Sequence, residues 1–235
     1  MLPRRAATDS LARITREVVA CERCPRLRAW CRKVARDKVL RFRDQEYWGR
    51  AVPGFGDPGA RVLIVGLAPA AHGGNRTGRV FTGDRSGDFL FAALHRAGFA
   101  SQPASTSRGD GLKLRDAYIA ALVRCAPPAN KPARAEVLRC REYLARELRL
   151  LPDLRAILAL GRIAMDGVIG VLREEGRITE RKSYAFGHGV RHDLDDRLAL
   201  FASYHPSQQN TFTGRLTAAS FDRVLRDVRR HLEVR

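Results

Sequence analysis

Long apolar runs, acidic residues and lysine are all scarce in this chain of 235 residues. No apolar run approaches the length of about 20 residues that a membrane-spanning helix requires, so the sequence predicts no membrane association. The first residues, Met-Leu-Pro-Arg-Arg, are not followed by the apolar segment of a secretory signal. We therefore expect a cytoplasmic protein. In the reducing cytoplasm, cysteines are more often metal ligands than members of disulfide bonds.

The shortage of acidic side chains leaves the chain strongly basic. Asp and Glu number 25 against 43 for Lys and Arg, which gives a formal net charge of +18. Only five of the basic residues are Lys, and the base composition of a genome can favour Arg over Lys without creating net charge. Because neutralising phosphates releases condensed counterions, the charge favours a nucleic acid as partner over a merely basic surface.

Short apolar runs alternate along the chain with segments of helical periodicity, and this alternation predicts the fold. The predicted strands are Arg61–Val65, Ala117–Val123, Ala156–Leu160 and Leu198–Ala202. The predicted helices span residues 9–19, 84–97, 133–151, 163–172 and 217–233, and the segment between Cys21 and the first strand is expected to be basic and irregular. This pattern predicts a single domain over residues 1–235, a three-layer α/β/α sandwich with a central, mainly parallel four-stranded sheet.

Three loops follow the predicted strands, at residues 66–84, 124–132 and 203–216. Ligands of parallel sheets bind beyond the carboxyl ends of the strands, so these loops are expected to form the site. The first is rich in glycine but matches neither the dinucleotide-binding motif nor the P-loop, which argues against a nucleoside triphosphate as ligand. Its Arg76 and Arg79 are candidates for phosphate contacts, and Phe81 for stacking on a base or anchoring the loop.

Four of the five cysteines form two separated pairs. Cys21 and Cys24 have two residues between them. Cys125 and Cys140 lie about a hundred residues downstream, and the interval between these two is longer than that between paired ligands of a zinc ribbon. Pairs that converge in this way predict a zinc or iron–sulfur site, with four unrelated buried thiols as the alternative. Cys31 stands outside the two pairs.

His205 follows the last predicted strand in the sequence Tyr-His-Pro-Ser. An imidazole at this position can donate a hydrogen bond to negative charge that develops on a substrate. The alternative is a structural histidine whose polar atoms are satisfied within the fold.

Short motifs along nearly the whole chain resemble the family 5 (type B) uracil-DNA glycosylases of the uracil-DNA glycosylase superfamily. The matching segments are Cys21-x2-Cys24-Pro25-Arg26, Val52–Asp57, Gly66–Pro69, Asn75–Gly78, Phe81–Asp84, Arg124–Pro128, Asn130–Pro132, Ser203–His205, Gln209–Thr211 and Thr213–Leu216. The resemblance implies a [4Fe–4S] cluster held by Cys21, Cys24, Cys125 and Cys140. None of these cysteines is among the residues that the resemblance places against the base, so we expect the cluster to be structural.

The resemblance also implies a chemistry. Enzymes of this family flip a deaminated base out of DNA, because its reacting atoms are hidden in the stack, and hydrolyse its N-glycosidic bond. By this analogy His205 would stabilise the departing base anion and Phe81 would stack on the flipped base. Contacts to the base would come from Gly66, Leu67, Ala68 and Ala70.

Two departures from other families of the superfamily concern the chemistry. Ala68 stands where those families place an Asp or Asn that orients the attacking water, so Asp84 and Asn130 become the candidates for this role. Asp84 has the alternative role of a helix N-cap. Ala120 and Ala121 stand where uracil-selective relatives often have an Asn. A pocket with fewer polar groups rejects other bases less sharply, so we expect activity on uracil and also on hypoxanthine or xanthine.

Residues 206–216 resemble the family loop that enters the minor groove. Gln208, Gln209 and Asn210 would fill the gap left by the flipped nucleotide, and Arg215 would contact a phosphate. The resemblance therefore implies a monomeric enzyme acting on DNA that contains deaminated bases. Two alternatives remain, a non-catalytic iron–sulfur protein that binds nucleic acid or senses redox state, and a lyase that uses Lys131 to form a Schiff base.

Overall fold

A computed structural model describes residues 9–179 and 184–233. The described residues contain a sheet in the order β1-β3-β2-β4-β6-β5. Its strands are β1 (Phe55–Gly56), β2 (Val62–Gly66), β3 (Ala117–Ala121), β4 (Ala156–Leu160), β5 (Arg191–Asp193) and β6 (Ala199–Ser203). The four central strands are parallel, whereas β1 and β5 pair antiparallel at the two edges. The predicted mainly parallel α/β sheet is confirmed.

The predicted number of four strands is wrong, because the two edge strands escaped the sequence analysis. β1 has two residues and β5 has three, and β5 consists of Arg191, His192 and Asp193. Neither carries the apolar run that marks a buried strand, since each pairs with the sheet along only one edge.

The helices in the described residues are α1 (Leu11–Val19), α2 (Pro25–Asp37), α3 (Gly74–Thr77), α4 (Arg85–Arg96), α5 (Arg134–Arg149), α6 (Arg162–Glu174), α7 (Gln208–Phe212) and α8 (Ala218–Glu233). The segment expected to be irregular after Cys21 is in fact α2. Pro25 at its first position and the buried residues Leu27, Cys31 and Val34, spaced by three or four, are the signals that reveal it.

Apolar side chains pack on both faces of the sheet, which gives the three predicted layers. One core contains Ile14 of α1 and Leu144 of α5 together with Leu63 of β2. The other contains Phe91 of α4 and Phe221 of α8. No helix in the described residues has both the length and the apolarity to cross a bilayer. The sequence interpretation of residues 1–8, and the ends of the predicted domain, lie outside the described residues.

Because β2, β3, β4 and β6 are parallel, the segments that follow them emerge at one edge of the sheet. These segments include α3, the 3-10 turn Pro128–Asn130 and α7. The predicted loops therefore lie side by side, as the sequence analysis expected.

Candidate active site

A cavity of about 440 Å³ lies at this edge of the sheet, a size typical of small-molecule sites. It gathers residues from the segments after β2, β3 and β6. They are Leu67, Ala68, Ala70, Asp84, Arg85, Ser86, Asn130, His205, Ser207, Gln208 and Gln209. The three residues predicted to take part in catalysis therefore share one cavity.

His205 is held at the end of β6 through its main chain. Its carbonyl oxygen accepts hydrogen bonds from the Asn210 side-chain amide at 2.8 Å and from the Ser207 N–H at 2.8 Å. The imidazole itself has no hydrogen-bond partner among the described residues, and burial lowers the pKa of His205 to about 4. The ring is therefore neutral at pH 7 and can donate a hydrogen bond into the cavity.

The N-cap role that the sequence left open for Asp84 is shown, and its role towards water stays a prediction. Asp84 is the N-cap of α4, where one carboxylate oxygen accepts a hydrogen bond from the Gly87 N–H at 3.0 Å, and it also lines the cavity. Burial raises its pKa above the usual value for Asp. Asn130, by contrast, is exposed and has a φ of 57°, so it stands on the rim of the cavity.

Phe81 lies beneath the end of β2 and is only 7% exposed. Its ring centroid is 5.8 Å from that of His205. A Cβ atom at position 66 would lie 2.7 Å from the Phe81 ring, so glycine is required for this close packing. Phe81 and Gly66 are not among the described residues that line the cavity, whereas Leu67, Ala68 and Ala70 are.

The structure corrects the prediction that Arg76 and Arg79 contact phosphate. Both side chains are buried and bind groups of their own loop and of distant segments of the chain. Arg76 donates to the Gly83 carbonyl at 2.7 Å, and Arg79 forms an ion pair with Asp110 at 2.6 Å. Because phosphate contact would break these buried bonds, the two arginines hold the loop in shape instead.

The loop predicted to enter DNA contains α7, which the sequence analysis did not identify. Gln208 and Gln209 are exposed, whereas Asn210 is partly buried and its side-chain amide donates to the His205 carbonyl, so a role of Asn210 in filling a gap in DNA stays a prediction. Arg215 is exposed, with its guanidinium 4.3 Å from the centre of the Tyr204 ring. Phe212, at the end of α7, is 67% exposed and was missed, because its motif gave no sign of its exposure.

The cysteine pairs line a second, smaller cavity on the α2 side of the fold. Its described lining residues are Cys21, Arg23, Cys24, Leu27, Arg28, Ala51, Val123, Arg124, Cys125, Arg139 and Cys140. Cys31 is fully buried on α2, and its thiol faces the Ala126 carbonyl at 3.5 Å. Among the described residues, no group of three or more His, Cys, Asp or Glu side chains is arranged to hold a single metal ion.

Comparison with known proteins identifies the family of this chain. The family model of the Uracil DNA glycosylase superfamily matches residues 53–229. A type-5 uracil-DNA glycosylase of Mycobacterium leprae is 50% identical over 94% of this chain and 95% of its own, and one of Thermus thermophilus is 48% identical over 91% and 94%. A type-4 uracil-DNA glycosylase of Pyrobaculum aerophilum is 33% identical over 69% and 74%. By these matches the chain belongs to the uracil-DNA glycosylase superfamily and, within it, to the type-5 uracil-DNA glycosylases.

Proposed function

We propose that this protein is a DNA repair enzyme that removes uracil from DNA by hydrolysing the N-glycosidic bond and leaves an abasic site. The observation that carries the proposal is the neutral imidazole of His205 in a cavity that also contains the carboxylate of Asp84. Family membership supplies the substrate class, and the net charge of +18 suits a polyanion.

His205 acts as the hydrogen-bond donor to the departing base. As the bond between sugar and base breaks, negative charge develops on the base, and a donor already in place stabilises that charge without reorganisation. A neutral imidazole is suited to this task because it carries the donor without a permanent charge, which a buried site disfavours. The main-chain bonds from Asn210 and Ser207 fix the ring without occupying its nitrogen atoms.

Asp84 is the stronger candidate for positioning the attacking water. It is partly buried at the cavity wall, where an ionised carboxylate can accept a proton from water and can also stabilise positive charge on the sugar. Asn130 on the rim can contribute a second hydrogen bond to this water. Lys131 is not among the described residues that line the cavity, so a Schiff-base lyase is not favoured.

The specificity extends beyond uracil. Leu67, Ala68 and Ala70 give one wall of the cavity no polar side-chain atom to match a particular base. Ala120 and Ala121 are fully buried in β3 and do not supply one either. Since selectivity against other bases depends on buried polar groups that would be left unpaired, hypoxanthine or xanthine is accepted as well.

DNA is engaged by the surface around α7. The Phe212 ring is exposed beside the cavity, with the guanidinium of Arg85 5.4 Å from its centre. Apolar wedges of this kind unstack base steps in the minor groove, so Phe212 enters the duplex together with Gln208 and Gln209. Arg85 and Arg215 are exposed and bind the adjacent phosphates.

The second cavity holds a [4Fe–4S] cluster through Cys21, Cys24, Cys125 and Cys140. The residues present fit such a group, because four thiols converge there and the buried side chain of Arg124 leaves its Nε and Nη1 atoms without partners. When bound, the cluster crosslinks the four thiolates, which joins the segment before α2 to the segment after β3 and to α5. Cys31 remains a buried thiol.

Incubation with duplexes that contain a single uracil, hypoxanthine or xanthine tests the function. We expect strand cleavage only after alkali, with uracil as a substrate. Binding without base release would favour a non-catalytic iron–sulfur protein, and cleavage without alkali would favour a lyase. Release of uracil without release of hypoxanthine or xanthine would overturn only the broader specificity.

A further inference from the structure

Arg28 of α2 is buried beside the cysteine cavity. It is 3% exposed, whereas arginine side chains are almost never fully buried unless they are paired. Its Nη1 atom lies 3.9 Å from the Cys125 sulfur, and its Nη2 atom donates to the Gly49 carbonyl at 3.0 Å. The contact with Glu22, at 3.4 Å, is to a carboxylate that is itself exposed. The guanidinium is thus held against a cluster ligand.

Arg124 reaches the same cavity from the end of β3. Its side chain is 1% exposed and forms an ion pair with the buried Glu147, but its Nε and Nη1 atoms have no partner among the described residues. Its main-chain N–H donates to the Cys140 sulfur at 3.2 Å. A buried donor without an acceptor costs about 1–3 kcal/mol, and more for a charged group. Because Arg124 also lines the cysteine cavity, an acceptor bound there would supply the partner that these atoms lack.

The charges around the cavity indicate the sign of that acceptor. Its described lining includes four arginines, two of them at the more exposed rim, and no acidic residue. A [4Fe–4S] core bound by four thiolates is a net anion with acceptor sulfur atoms, which matches both the orphaned donors and the charge. This argument rests on the proposed cluster.

We propose that Arg28 and Arg124 form a cationic cradle that compensates the charge of the cluster and raises its reduction potential. Reduction adds one negative charge to the cluster, so buried positive charge and hydrogen bonds to its sulfurs stabilise the reduced state more than the oxidised state. Neither arginine is among the described residues that line the cavity proposed for the base. They position and tune the cluster, and base excision does not depend on their charge directly.

Arg28→Met tests the cradle, since it removes the charge and keeps an unbranched apolar stem. Arg32→Met is the matched control: Arg32 lies on the same helix and pairs with the same Glu22 at 2.5 Å, but its side chain is 60% exposed. Redox titration of the purified holoprotein, followed by its visible absorbance and electron paramagnetic resonance, gives the potential. We expect a more negative potential for Arg28→Met and an unchanged one for Arg32→Met and Arg28→Lys.

A second readout is the rate at which iron is lost to a chelator during exposure to ferricyanide, which we expect to be higher in Arg28→Met but not in Arg32→Met or Arg28→Lys. For Arg124, the double variant Arg124→Met/Glu147→Leu removes both buried charges so that no unpaired carboxylate remains. The reduction potential of the cluster should also be more negative in this double variant. An unchanged potential and an unchanged rate of iron loss in both the Arg28 and the double variant would overturn the cradle, whereas wild-type protein without iron would overturn the proposed cluster itself.

Discussion

Replacing His205 with Ala should remove most of the catalysis while leaving the fold and DNA binding intact. The His205 ring makes no hydrogen bond with a described residue, and the bonds that fix this segment involve its main-chain carbonyl. Apart from the ring contact with Phe81, the substitution therefore removes only a donor to the transition state. A preorganised donor of this type is worth about 10²–10³ in kcat, or about 2.7–4 kcal/mol.

Single-turnover release of uracil from a fluorescently labelled duplex measures this effect, with DNA affinity measured separately by anisotropy. His205→Gln is the matched variant, because its amide retains an N–H donor without the ability to ionise, and it should recover part of the lost rate. Activity of His205→Ala within tenfold of the wild type would refute the assigned role. An equal loss of DNA affinity would show that the residue acts in binding.

The pH dependence gives an independent check on the neutral imidazole. Because the pKa of His205 is lowered to about 4, the ring stays neutral down to that pH, and the rate should not fall through an ionisation near 6.5. The folded state resists protonation of this ring, so the wild type should lose stability relative to His205→Gln as the pH falls from about 6.5 towards 4. A fall in rate centred near pH 6.5 that His205→Gln abolishes would contradict this.

Three further changes test the rest of the site. Asp84→Asn keeps a helix-capping residue but loses the charge, so kcat should fall by about 10²–10⁴ while the melting temperature changes little. The raised pKa of Asp84 sets the acidic limb of the pH–rate profile, and this limb should disappear in the variant. Cys140→Ser should abolish bound iron and lower the melting temperature, whereas Cys31→Ala should retain the iron, as measured by metal analysis and calorimetry. Phe212→Ala should slow excision from duplex DNA by roughly 5- to 100-fold, with little effect on single strands, and Phe212→Leu should keep most of the duplex activity.

The parts of the fold that could be predicted from sequence are those with an apolar pattern of their own. The four central strands are buried along their whole length, so their apolar runs stand out. β5 has no such run, and the buried stripe of α2 is interrupted by arginines, including the buried Arg28. Local patterns carry no information on where a charged side chain finds its partner.

The same limit applies to the candidate site. Motif order is sufficient to bring His205, Asp84 and Asn130 to one cavity, because parallel strands deliver their loops to one edge. It does not reveal that Arg76 and Arg79 turn inward, since their partners Gln45 and Asp110 lie about 30 residues away in sequence. Nor does it reveal that Phe212 is exposed, because an apolar residue near a helix end is ordinarily expected to pack.

Direct detection of free uracil by mass spectrometry tests the central claim most directly. Purified wild-type protein and His205→Ala are each incubated with a duplex that contains one uracil, and both the released base and the DNA strand are quantified. We predict stoichiometric free uracil and an intact abasic strand with the wild type, and release slowed by about 10²–10³ with the variant. Equal release by the two proteins, or no free uracil with iron-loaded wild type, would contradict the account.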